Sequence, residues 1–298
     1  MRARIKRRQT IRNLEIVAVV AVIAVSLGVG FYYALKVSLN DPLTGTPVPS
    51  KVYDSLYQAS IQTPYGTTDS AYLKDLHSIT GSPYVTTGKP ILVYVGAEYC
   101  PYCAVQRWSL IMALMRFGNF TNLEYLTSGE DNYATFTFNA STYQSSYVVF
   151  QPYEVYDNSN RPLQTLPTDY SSAFTQYGQS SFPFLNFNDE YYIPGAIVDP
   201  QSLGTNNQTQ IISSIQAGGS MGSQIKQAAN VITAAICETT GDNPTSVCSQ
   251  PGITSITTTL TSYAPPSTNS GSELLVNNVS FTMFPGFLIS GRDYSSWN

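Results

Sequence analysis

Charge is scarce in this chain of 298 residues. Asp, Glu, Lys and Arg together make up 11% of it, less than half of the roughly 25% found in ordinary globular proteins. Tyrosine, serine and threonine take its place, with 22 tyrosines alone. Such a surface changes its charge little as pH falls. Histidine is scarcer still, with one residue, His77. A Ser/His or Cys/His catalytic arrangement would depend on it wholly. His77 is far in sequence from the cysteines and reads as a surface or packing residue. There is no glycine-rich phosphate loop and no internal repeat. Cysteine is limited to four residues, Cys100, Cys103, Cys237 and Cys248.

The charge that exists is unevenly placed. Arg2, Arg4, Lys6, Arg7, Arg8 and Arg12 fall in the first twelve residues, whereas the chain from residue 37 onward carries a net charge of −10. A basic head can mark nucleic-acid binding, but the next segment gives a simpler account. Residues 16–35, IVAVVAVIAVSLGVGFYYAL, are twenty residues without a charge. That is enough to cross the ~30 Å hydrocarbon core as a helix. Phe31, Tyr32 and Tyr33 stand near its outer end, where aromatic rings favour the interface. Basic residues on the amino side place the N-terminus in the cytoplasm and the rest outside. A single-pass cell-membrane protein is therefore expected, with the bilayer as one partner and no nucleic acid. A cleaved secretory signal is the alternative, and it also exports the body.

The expected organisation is a basic cytoplasmic segment (1–12), an anchor (13–36), a proline-stiffened linker (37–50), an extracytoplasmic domain (51–250) and a Ser/Thr-rich tail (251–298). Within the domain, the spacing predicts a helix over 68–79, ended by Gly81 and Pro83. A strand buried on both faces is predicted at Ile91–Val95. A helix follows over 103–117, with Arg107 and Arg116 on its exposed side and Gly118 as its stop. Leu123–Leu126 reads as the next strand, and strand-like pieces occur at 135–138 and 147–157. Residues 182–193 read as a hairpin turning at Asn188-Asp189. Helices are predicted near 208–217 and 222–237. Eleven of the nineteen residues from 254 to 272 are Ser or Thr, which predicts a flexible segment. The apolar stretch 274–289 is an edge strand or a contact with a partner.

The chemistry is concentrated in Cys100-Pro101-Tyr102-Cys103, directly after a buried strand and at the start of a helix. The first amide N–H groups of a helix lack internal partners, and the helix dipole is positive there. Both favour a thiolate, and thiols in such motifs fall from about 8.5 to roughly 3.5–7.5. Cys100, at the outer end, is the expected attacking sulfur. Cys103, one turn inward, is the expected resolving sulfur. Pro101 suits the first helical turn. A bare C-x-x-C could be half of a zinc site, but Cys237 and Cys248 have ten residues between them and lack knuckle spacing. In an exported protein they read as a structural bridge, with a redox relay between the two pairs as the sharper alternative.

Ile91-Leu92-Val93-Tyr94-Val95-Gly96-Ala97-Glu98-Tyr99-Cys100-Pro101-Tyr102-Cys103 resembles the active-site strand and turn of thioredoxins, and the Cys-Pro-Tyr-Cys quartet is the one typical of glutaredoxins. Phe182-Pro183-Phe184-Leu185 resembles the segment that opens that family's hairpin. The resemblance implies a cis Pro183 opposite the cysteines, beside backbone that pairs with a substrate. It also implies an α/β fold with a central mixed sheet flanked by helices, here with an insertion at about 127–180. Over roughly residues 10–250, the anchor, the V-G-A-E-Y-C-P-Y-C core and the later cysteine pair resemble an archaeal group, domain of unknown function 929. One departure stands out. Thioredoxins carry a buried carboxylate six residues before the first cysteine, and here that position is Tyr94. A phenol is a poor base near neutrality, and Glu98 at the strand end reads as solvated.

The function expected is thiol–disulfide exchange at Cys100 and Cys103 with exported protein thiols and disulfides, supported by a membrane redox partner. No metal, nucleotide or other cofactor is required. The alternative is a non-enzymatic accessory or binding subunit of a membrane complex, with a structural Cys100–Cys103 disulfide. Asn119, Asn139, Asn207 and Asn278 each begin an N-x-S/T triplet and are permissible glycosylation sites.

Overall fold

The computed structural model describes residues 25–26, 43–79, 83–84 and 88–263. The anchor expected at 16–35 lies outside them apart from Val25 and Ser26, as do the cytoplasmic segment, Asn278 and the apolar stretch 274–289. Among the described residues, no helix is long and apolar enough to cross a membrane.

The element order begins with α1 (Ser50–Ile61), a short 3-10 turn (Ser70–Asp75), β1 (His77–Ser78), β2 (Ile91–Ala97) and α2 (Pro101–Met115). Four short strands follow: β3 (Gly118–Thr121), β4 (Glu124–Thr127), β5 (Ala134–Thr137) and β6 (Thr142–Ser145). Then come β7 (Val149–Tyr156), α3 (Thr168–Gly178), β8 (Phe184–Phe187) and β9 (Tyr191–Pro194). The described chain ends with α4 (Gln208–Ala217), α5 (Ser220–Thr239), α6 (Thr245–Cys248) and α7 (Pro251–Tyr263).

The protein is thus mixed α/β, with a five-stranded central sheet in the order β1-β9-β8-β2-β7. β2 lies at its centre, parallel to β7 and antiparallel to β8. All seven of its residues are buried, as a continuous branched apolar run requires when both faces are covered. Its side chains alternate between two cores. Leu92 and Tyr94 join the larger core, which also holds residues of α2, α4 and α5. Ile91, Val93 and Val95 meet α3 residues on the other face. The hairpin turns where expected, with Asn188 and Asp189 both left-handed and Glu190 N–H returning to the Phe187 carbonyl. That is the combination a primed turn demands.

Several expectations are corrected. The predicted helix at 68–79 is only the 3-10 turn, because Leu76 is extended and His77 and Ser78 pair with Tyr192 and Tyr191. The exposed His77 stacks on Tyr192 at 5.0 Å. The inner part of the expected linker is bound in place: the Gly45 and Val48 amides donate to the Tyr125 and Leu123 carbonyls. α1 follows at once, burying Leu56, Ala59 and Ser60. The strand after α2 is outside the central sheet, since β4 pairs with β5 in a separate hairpin. β7 and α3, which fall within the insertion expected at about 127–180, instead belong to the central sheet and its covering cores.

Both arginines expected on the exposed side of α2 are buried. Arg116 lies over Tyr65 at 3.8 Å and donates to Ser60 O, Asn230 Oδ1 and Thr233 Oγ1. The helix stops at Met115, and Gly118 instead opens β3, where a Cβ would collide with the Gln144 carbonyl. Residues 251–263 are helical rather than flexible. Ile253 and Ile256 are buried, and Thr and Ser hydroxyls bond back to carbonyls three and four residues earlier, so their polarity is satisfied within the helix.

Cys237 and Cys248 are disulfide-bonded at a sequence separation of 11, tying the end of α5 to α6. They belong to the larger core, whereas Cys100 and Cys103 lie in a separate cluster. Closing a loop of that length stabilises by about 3 kcal/mol in the chain-entropy account. Replacing both with serine is expected to lower unfolding free energy by about that amount in urea titration and to leave Cys100 alkylation unchanged. Altered Cys100 reactivity in a folded variant would instead support a relay between the pairs.

Candidate active site

Cys100 stands where β2 hands over to α2. It is the N-cap of the helix, its backbone still extended, and its Sγ accepts the Cys103 N–H at 3.3 Å. Pro101 fills the first helical position, where a missing N–H costs nothing. The two sulfurs are free thiols with different surroundings. Cys100 is 7% exposed and Cys103 0%, while Tyr102 between them projects outward.

Their ionisation diverges accordingly. The Cys103 side chain, by hydrogen bonding, is the largest influence lowering Cys100 below an ordinary thiol. Burial opposes this, and the Cys103 amide, the Arg107 charge and the Tyr102 amide add to it. Cys103 is held well above an ordinary thiol, chiefly by burial and then by its hydrogen bond to Cys100 and that sulfur's charge. A low outer thiol and a high inner one are the pairing that attack followed by resolution needs.

Pro183 follows Phe182, which packs against this turn. The Phe182–Pro183 peptide is cis, Pro183 is buried, and its carbonyl accepts the Gly195 N–H. Phe184, the next residue, pairs with Val95 of β2. Phe182 packs with Tyr99 and Tyr156 against Ala97, Cys100 and Cys103. Tyr156 meets Tyr99 at 6.3 Å and Phe182 at 6.1 Å, in edge-on contacts, and Phe182 stacks on Phe174 at 5.5 Å. The β4–β5 hairpin touches the same turn, because the Glu130 N–H donates to the Tyr99 carbonyl. The hairpin is fastened to α2 by Trp108 Nε1 on the Ala134 carbonyl and Thr135 Oγ1 on the Ala104 carbonyl.

Two residues that sequence reasoning missed lie behind the cysteines. Arg107, four residues after Cys103 on α2, pairs with Glu154 of β7, and both side chains are 0% exposed. The contact is a fork: Nε to Oε1 at 2.9 Å and Nη2 to Oε2 at 2.7 Å. Nη2 also donates to the Ala97 carbonyl at 2.8 Å, and that carbonyl accepts the Cys100 N–H at 3.2 Å. Burial is the largest single influence and works against the guanidinium charge, but Glu154, Tyr94 and Cys103 together outweigh it and hold Arg107 firmly protonated. The available signal was the i, i+4 spacing from Cys103, which puts Arg107 on the same helical face.

The carboxylate expected to be solvated is held in. Glu98 is half-buried and accepts from Thr137 Oγ1 at 2.6 Å, and burial raises it above the usual carboxylate range. Tyr94 is wholly buried with its hydroxyl unpartnered. Burial pushes its phenol far up, so it is no base.

The remaining candidates lie apart. Asn119, Asn139 and Asn207 are exposed. Asn207 caps α4 by accepting the Gln210 N–H, and Asn139 Oδ1 accepts from Gln164 Nε2. Among the described residues, no three His, Cys, Asp or Glu side chains come together as metal ligands.

A dithiol at a strand-to-helix turn, inside a mixed α/β sheet flanked by helices, defines the class of protein. Residues 75–238 match the family described as "Domain of unknown function (DUF929)". This is more than half of the chain, which belongs to that family. No curated protein and no solved structure matches it.

Two outcomes are expected. Iodoacetamide should modify Cys100 in the reduced, folded protein at a pH where an ordinary thiol is inert, leaving Cys103 unmodified until denaturation; peptide mass spectrometry reads both. Arg107→Met alone strands Glu154 as a buried charge and should cost about 3–5 kcal/mol in chemical denaturation.

Proposed function

We propose that this chain is a membrane-anchored, extracytoplasmic thiol–disulfide oxidoreductase acting on exported proteins through Cys100 and Cys103. The observation that carries the reading is the asymmetry of the two sulfurs. One is at the helix N-cap with its thiol lowered, and the other is sealed inside with its thiol raised.

In the reducing direction the Cys100 thiolate attacks one sulfur of a substrate disulfide. The substrate S–S bond breaks, its other sulfur leaves and takes a proton, and a mixed disulfide forms. Cys103 then gives up its proton and attacks Cys100 Sγ. The mixed disulfide breaks and the second substrate sulfur leaves as a thiol. The substrate gains two electrons and two protons, and the dithiol becomes a disulfide, restored by a second thiol–disulfide couple. The reverse sequence inserts a disulfide into a substrate.

The architecture supports a thioredoxin-like plan: parallel β2 and β7 joined through α2, then an antiparallel hairpin entered through cis Pro183. The aromatic rim of Tyr99, Tyr156 and Phe182 suits an apolar polypeptide beside the reacting sulfur. Export is supported by the sequence at 1–35 and by the Cys237–Cys248 bridge, because such bridges persist outside the cytoplasm. Residues 16–35 are the proposed contact with the bilayer.

The full-length protein in detergent, assayed by insulin reduction and by oxidation of a reduced, unfolded substrate, tests the reading. Cys100→Ser should abolish turnover in both, and Cys103→Ser should accumulate mixed disulfides visible on non-reducing gels. An intact dithiol that turns over neither substrate, or turnover that survives Cys100→Ser, rejects it. The reduction potential then gives the direction: near about −120 mV an oxidant, near about −270 mV a reductant.

A further inference from the structure

The buried ion pair behind the cysteines has no part in the exchange chemistry above, yet three elements are arranged to hold it. β7 supplies Glu154, α2 supplies Arg107 and β2 supplies the Ala97 carbonyl. A fully buried pair is costly, and well-packed apolar side chains of the same volume would serve stability as well or better. Its geometry points to a different use.

We infer that Arg107 and Glu154 are the positioning pair of the dithiol: a permanent ion pair that braces the Cys100 turn and holds a cation beside its sulfurs, in place of a carboxylate that shuttles a proton. The inference rests on reading Cys100 as the nucleophile. Three observations lead to it. First, the Ala97 carbonyl is shared between Arg107 Nη2 and the Cys100 N–H, so the guanidinium fixes the group from which the Cys100 turn hangs. Second, both Glu154 oxygens are bound by the fork. Neither oxygen is left without a guanidinium partner. Glu154 is spent on the arginine. Third, the other titratable groups facing the pair are Tyr94 from β2, Glu98 from the turn, and Cys100 and Cys103 from α2. Neither oxygen acid among them is a free base: the phenol is sealed and far raised, and Glu98 is half-buried and bound to Thr137. The charge of Arg107 favours the thiolate at Cys100, and at Cys103 its effect exceeds the opposing one of Glu154.

The test replaces the whole pair, because one partner alone would leave a buried charge. In full-length Arg107→Met/Glu154→Met, the midpoint of the pH profile for Cys100 alkylation is expected to rise by about one unit, a tenfold loss of thiolate at lower pH. The dithiol–disulfide equilibrium against glutathione should move toward the disulfide by up to about tenfold, or about 30 mV. Arg107→Lys keeps the charge and should hold the midpoint within a few tenths of a unit. A folded double variant with an unmoved midpoint overturns the inference. If it also releases mixed disulfides more slowly, Glu154 is a proton relay after all. Should the double variant not fold, Arg107→Lys decides alone: an unmoved midpoint supports the inference and one displaced by a full unit overturns it. A parent protein whose Cys100 behaves as an ordinary thiol rejects the proposed function itself, before any variant is made.

Discussion

The structure turns on one buried carbonyl, that of Ala97, and on the cation that reaches it. β2 ends there, and the chain must leave the sheet and enter α2 within three residues. A carbonyl at the end of a fully buried strand needs a partner, and it has two: the Cys100 amide and the Arg107 guanidinium. Arg107 can lie in the core only because Glu154 meets it in a bidentate contact from the neighbouring parallel strand. The β2–β7 pairing, the direction of α2 and the place of Cys100 are therefore coupled. Moving any one of them would strand a polar group where water cannot reach it.

This coupling explains which parts of the fold were legible in the sequence. β2 was readable because its seven residues are buried on both faces, so an unbroken apolar run carries the whole signal. The hairpin was readable because Asn188 and Asp189 both adopt left-handed backbone, and those residue types tolerate it. The two helices from 208 onward were readable from their periodicity and the Gly218-Gly219 break, with Gly218 left-handed at the end of α4. The motif at 100–103 was legible for a different reason, because its chemistry depends on local backbone.

What was not legible depends on partners distant in sequence. Arg107 and Arg116 carry charges, and a charge on a helix is ordinarily solvated. Their burial depends on Glu154, 47 residues on, and on Asn230 and Thr233, more than a hundred residues on. The pattern at 68–79 was helical in spacing, but edge pairing of His77 and Ser78 with β9 overrode it. α7 was hidden by its Ser and Thr content. Its apolar residues Ile253, Ile256 and Leu260 are spaced for one helical face and pack on the larger core, but the Ser and Thr residues between them outweigh that signal. β4 was misplaced because a short strand outside the main sheet has no sequence mark separating it from strands inside it.

The tyrosine at position 94 has a different meaning in three dimensions. In sequence it stands where thioredoxins carry a carboxylate, and a phenol there reads as a poor base. In the structure, the ring lies along its own strand with the hydroxyl over Gly96, where any Cβ would collide with it. Tyr94 and Gly96 thus form one unit, filling the space below the turn with a flat apolar surface. The Arg107 guanidinium sits 5.9 Å from the centre of that ring, within the range of cation–π attraction. Phe138 closes the ring edge-on at 5.2 Å. The carboxylate is not missing from the site. It comes from β7, locked to an arginine, while the position on β2 serves to pack that arginine. A lone buried acid and a buried ion pair are different solutions to placing charge behind a dithiol. The second gives up a free base for a cation held in place by three elements.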